Sequence, residues 1–71
     1  MNLPREIEID QRDGELVVID YKTGRWAPTD DDARGSLQLA LYAVAAERTL
    51  RRPAGRVELH HVPTGVVAEA V

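Results

Sequence analysis

Asp20 and Lys22 stand two residues apart at the end of Glu15 to Lys22, ELVVIDYK, a run dense in β-branched residues. The strand period of two places both on one face with Leu16 and Val18, so a carboxylate and an ammonium continue an otherwise apolar stripe. A carboxylate so placed can bind a divalent cation. An ammonium beside it can position a water or stabilise negative charge developing on a phosphate. The same triplet also fits an exposed ion pair where a strand runs out of the core, an arrangement of little energetic value.

Gln38 and Tyr42 form a second pair, at i and i+4, which makes them neighbours on one helix face. They fit a shared site, and equally a polar stripe beside the core with the Tyr42 ring packed. His60 and His61 are adjacent on an expected strand and so face opposite ways, which points to solvent exposure or a core hydrogen bond rather than a shared metal. Asp30, Asp31 and Asp32 lack the alternating oxygen ligands of a calcium loop and read as a solvated helix cap. Arg48, Arg51, Arg52 and Arg56 fit a phosphate-binding patch, and fit equally a set of cations complementing a helix C-terminus.

The elements that must hold these residues follow from turn and breaker signals. Asp13-Gly14 is a hairpin signal between Glu6 to Asp10, an alternating outer strand, and Glu15 to Lys22, whose apolar residues on both faces mark an interior strand. In that register Arg12 pairs with Glu15 and Ile7 falls opposite Asp20, while Glu6, Glu8 and Asp10 point to the other face. Residues 26–35, WAPTDDDARG, form a polar connection in which the aspartates cap a short helical turn. Ser36 to Arg51 lacks Gly and Pro, is rich in Leu and Ala, and puts Leu37, Leu41, Val44 and Arg48 at the spacing of one helix face. Arg56 to Val62 and Val66 to Val71 read as two further strands around Pro63-Thr64-Gly65. The order is ββαββ, an α+β domain with a mixed sheet and one main helix.

With 71 residues, 44% hydrophobic and 30% charged, the chain suits one domain, residues 1–71, of marginal stability unless a partner, metal or further segment supports it. The absence of cysteine excludes disulfides and thiolate metal sites. No apolar run approaches the ~20 residues of a membrane helix, and no signal peptide is visible, so the expected compartment is the cytoplasm. A formal net charge of −3 argues against binding nucleic acid by phosphate neutralisation over the whole surface. It leaves open nucleases that bring their positive charge as bound metal. Every basic residue but Lys22 is arginine.

VVIDYKTGR, the loop PTDDDARGSL and the helix QLALYAVAAER together resemble the RecB-type branch of the PD-(D/E)XK nuclease superfamily, in which a strand ending D-x-K-T-G precedes a helix bearing Q-x-x-x-Y. The matching residues are Asp20, Lys22, Thr23, Gly24, Gln38 and Tyr42. The resemblance spans about residues 10–65. It implies a restriction-endonuclease-like core and a DNA exonuclease or nuclease module that hydrolyses phosphodiesters with Mg2+ or Mn2+. By the resemblance Asp20 is a metal ligand, Lys22 the catalytic lysine, the Tyr21 backbone carbonyl a further ligand, and Gln38, Tyr42, Thr23 and Arg25 contact the DNA. Such modules work in DNA repair and recombination, so a helicase or other recombination subunit is an implied partner. The chain departs from the family upstream: the metal-binding Asp of a G-x-x-D-R strand and an earlier His or Glu are missing, which implies a partial domain. The alternative expectation is therefore a non-catalytic remnant that binds DNA or protein. With few helices to cover the sheet, the face bearing Val17, Ile19 and Tyr21, or its opposite, is expected to mediate self-association or partner binding.

Overall fold

Asp13 and Gly14 take positive φ values of 51° and 82°, the conformation an Asp-Gly two-residue turn requires. That turn joins β1 (Ile7–Arg12) to β2 (Glu15–Lys22) antiparallel, with Arg12 opposite Glu15 and Ile7 opposite Asp20 as the sequence predicts. The computed structural model describes residues 2–71. After β2 come α1 (Asp30–Arg34), α2 (Leu37–Leu50), β3 (Ala54–His61) and β4 (Val67–Ala70). The sheet order is β1-β2-β3-β4, with β2 and β3 parallel and the outer pairs antiparallel. The architecture is the expected α+β mixed sheet with one main helix, and β2 is interior.

α1 starts at Thr29, whose hydroxyl accepts from the Asp32 N–H while the Asp32 carboxylate accepts from the Thr29 N–H, a reciprocal capping box. Asp30 also accepts the Glu69 N–H at 2.9 Å, so the aspartate run ties the connection to β4 as well as capping it. α2 is capped by Ser36, which accepts from the Leu39 N–H. β3 begins two residues earlier than the expected Arg56, because the Leu16 N–H bonds the Pro53 carbonyl and draws Ala54 into the ladder. β4 is shorter than expected at both ends.

The core lies between the helices and one sheet face: Ile7, Val18, Leu59 and Ala68 from the strands meet Ala33 of α1 and Leu39 of α2, with Tyr42 and Ala43 packed at its margin. The expected helix stripe is therefore corrected. Leu37, Leu41 and Val44 are exposed, and the buried side runs Leu39, Tyr42, Ala43, Ala46. α2 carries apolar residues on both sides, and the side richer in alanine faces the sheet, where small side chains allow close approach. No helix among the described residues is long and apolar enough to cross a membrane.

Candidate active site

Asp20 is paired in the ladder with Ile7 of β1 and Leu59 of β3, both core residues, so its side chain enters the helix-covered side of the sheet and is 1% exposed. Lys22, two residues on, places Nζ 2.8 Å from Asp20 Oδ2 while keeping about half its side chain in solvent at 47%. The other oxygen, Asp20 Oδ1, is buried with no hydrogen-bond partner among the described residues. Burying a carboxylate oxygen unpaired costs on the order of 1–3 kcal/mol, a cost that packing does not explain at a position flanked by Ile and Leu. An oxygen held dry and unshared is a ready ligand for a cation.

The surrounding donors limit what such a cation would find. Ile7 faces Asp20, and Glu8 and Asp10 point to the opposite side of the sheet. Glu6 precedes β1 and gives its carbonyl to the Tyr21 N–H at 2.8 Å. In an antiparallel pair the N–H and C=O of one residue point the same way, so the Tyr21 carbonyl also faces the β1 side, opposite Glu6. Among the described residues no group of three or more His, Asp or Glu side chains is arranged to hold a metal. One unshared carboxylate oxygen is no closed cage; a cation held there would have to keep most of its waters, as Mg2+ commonly does.

The loop after β2 is tied down by β3. Val62 donates to the Lys22 carbonyl, and the buried His61 donates from Nε2 to the Gly24 carbonyl while Nδ1 accepts from the Thr64 hydroxyl. His61 is thus the core hydrogen-bonding histidine of the two, and His60 lies on the far face with Nε2 2.7 Å from Glu58. Beyond this anchor Thr23 and Arg25 are exposed and Trp26 is 81% exposed. Lys22, Gly24, Trp26, Pro28, Asp32 and Leu59 border a cavity of about 370 Å³. Gln38 is exposed and Tyr42 half-buried against the core, and neither borders this cavity. α2 lies on the Asp20 side of the sheet with Tyr42 packed at the margin of the core, whereas Gln38 is turned to solvent.

The far face of the sheet corrects another expectation. Val17 and Ile19 are 4% and 2% exposed although no helix covers them. Arg12 reaches over β2 to Glu58 with two bonds of 2.9 and 3.3 Å, Arg56 lies between Glu58 and Glu69, and the Tyr21 hydroxyl donates to Glu8. Burial alone raises the Glu58 pKa, but hydrogen bonds from His60 and Arg12 outweigh it and hold the carboxyl below its ordinary value. The Glu8 carboxylate raises the Tyr21 pKa by accepting a hydrogen bond from its neutral hydroxyl. Arg56 is engaged by this network, which leaves Arg48, Arg51 and Arg52 of the four arginines without a carboxylate partner among the described residues.

Sequence reasoning passed over Trp26, although a lone tryptophan in a polar loop directly after D-x-K-T-G was a usable signal. The Arg12–Glu58 link has no local signal, since it joins strands that are not neighbours. No curated protein and no solved structure matches the chain. A family model described as the PD-(D/E)XK nuclease superfamily matches residues 7–70, so nearly the whole chain is accounted for and the protein belongs to that superfamily.

Proposed function

We propose that the chain is a RecB-like DNA nuclease module whose hydrolytic centre is built on Asp20 and Lys22. The observation that carries the reading is the Asp20 carboxylate: buried, with one oxygen on Lys22 and the other unshared. Bound Mg2+ or Mn2+ would supply Lewis acidity toward a phosphodiester and an acidified water. Asp20 Oδ1 and the Tyr21 carbonyl are the groups that would hold it. Lys22 moves from its ion pair to the negative charge that accumulates on the phosphate, and its half-exposed stem gives it that freedom. Thr23 and Arg25, exposed beside it, meet the DNA backbone, with Gln38 and Tyr42 supporting the strand from α2. Further metal ligands would come from another chain or from sequence outside residues 1–71.

A second reading, a non-catalytic remnant that binds DNA or protein, is favoured by one specific feature: Ile7 occupies the ladder position facing Asp20. A nuclease assay with Mg2+ and with Mn2+ separates the two. The expected result for this chain alone is weak cleavage, lost in Asp20→Ala, and robust cleavage lost in the same variant would refute the remnant. Cleavage indifferent to Asp20 would refute the proposed centre. Any helicase, recombination subunit or second copy would dock on the exposed Leu37, Leu41 and Val44 of α2 rather than on Val17 and Ile19. Sedimentation of Leu41→Glu against the parent chain tests self-association there.

A further inference from the structure

Trp26 is the only tryptophan in the chain, and it stands almost fully in water at the mouth of the cavity that Lys22 borders. Its loop is not loose at the base. His61, itself 1% exposed, bonds the Gly24 carbonyl two residues before it, and the Thr29 capping box fixes the chain three residues after it. A large aromatic ring is thus held out from the protein on a short tether fixed at both ends. The open cleft it helps to line, about 370 Å³, lies within the roughly 300–1,000 Å³ of small-ligand sites, and Leu59 and Pro28 give it an apolar wall.

Charge favours a ligand that the ring can grip. The chain carries a net charge of −3, and Arg12, Arg34, Arg56 and Lys22 are all engaged with carboxylates. Among the described residues Arg25 is thus the arginine beside Trp26 left free for a phosphate, and the net charge of −3 works against phosphate neutralisation over the whole surface. Stacking on an aromatic ring is independent of net charge and available to any unpaired base, but not to one already stacked within a duplex. Arg25, next to Trp26 and without an ion-pair partner among the described residues, can meet the phosphate of a nucleotide stacked there.

We propose that Trp26 is a base-stacking platform beside the Asp20–Lys22 centre and that it selects single-stranded DNA or a frayed end over duplex. The inference rests on the nuclease reading for its ligand class and adds the strand form and the residue that reads it.

The test uses the whole chain in EDTA, where no metal-dependent cleavage occurs. A short oligothymidylate should quench the intrinsic fluorescence of Trp26, and a blunt duplex of equal length should leave it nearly unchanged. Binding read by anisotropy of a labelled oligothymidylate should weaken about 5- to 150-fold in Trp26→Ala, while Trp26→Phe retains most of the affinity. Circular dichroism of Trp26→Ala should match the parent, since the lost ring is outside the core. Absence of binding, binding without quenching, or an equal loss of duplex affinity in Trp26→Ala would each overturn the proposal. Quenching by oligothymidylate together with cleavage that is unchanged in Asp20→Ala upholds the platform and sinks the proposed centre. Asp20-dependent cleavage without quenching does the reverse.

Discussion

Ile7 lies directly opposite Asp20 in the β1–β2 ladder, and both side chains enter the same side of the sheet. Opposed residues in an antiparallel pair hold their Cβ atoms only about 4.5–5.5 Å apart. The place from which a second carboxylate would share a cation with Asp20 is therefore filled by hydrocarbon.

Ile7→Asp should convert this pair into a cation site. Calorimetry is expected to show Mn2+ binding roughly tenfold or more tighter than in the parent chain, because affinity follows the number of anionic ligands. Without metal the variant should lose about 3 kcal/mol of stability, since Ile7 is 5% exposed and belongs to the core. Mn2+ should then raise its unfolding midpoint far more than the parent's. Equal Mn2+ affinity after adding Asp20→Asn would show that the two positions do not share an ion.

Asp20→Val should stabilise the chain by about 1–3 kcal/mol. The substitution replaces a buried carboxylate, one oxygen of which has no partner, with a β-branched residue between Ile7 and Leu59. Urea unfolding of parent and variant measures the difference. A loss of stability of that size would mean that the Asp20–Lys22 pair holds the fold together rather than serving chemistry.

Glu58→Gln should destabilise the chain by about 1–3 kcal/mol at neutral pH, as the charge shared by Arg12, Arg56 and His60 is lost and one of the two acceptor oxygens becomes a donor amide facing cations. The Glu58 pKa is lower in the folded chain than its ordinary 4.5. Its stabilising contribution is therefore complete above that value and fades as pH falls through the lower folded pKa. Unfolding curves of parent and variant should converge in acid below 4.5. A gap that stays constant through that range would assign the loss to packing alone.

His61→Leu should loosen the loop that carries Arg25 and Trp26. The imidazole bonds the Gly24 carbonyl and the Thr64 hydroxyl, and a leucine of similar bulk keeps the packing but makes neither bond. Loss of about 1 kcal/mol of local stability corresponds to roughly fivefold faster tryptic cleavage after Arg25, with helix content unchanged. Unaltered cleavage would show that the loop is held by something other than this histidine.

Much of the architecture was written locally. The Asp13-Gly14 turn, the β-branched density of β2 and the Gly- and Pro-free run behind Ser36 each act over a few residues. Turn geometry then set the β1–β2 register, including Ile7 against Asp20. That Asp20 and Lys22 share a face needed only the two-residue period of a strand, so the candidate centre was legible before any fold was known.

Tertiary structure decided what local rules left degenerate. Both sides of α2 are apolar at helical spacing, so periodicity alone did not select between Leu37, Leu41, Val44 and Leu39, Ala43, Ala46; close approach to the sheet selected the alanine-rich side. Strand parity placed Val17 and Ile19 away from the helices but did not reveal what lies over them. That depended on the parallel pairing of β2 with β3, which sets Glu58 beside Ile19 and within reach of Arg12. The exposure of Trp26 beside Lys22 likewise arose from two distant ties, His61 to Gly24 and Asp30 to Glu69. Such contacts join residues far apart in sequence, and only the assembled sheet brings them within a side chain's length.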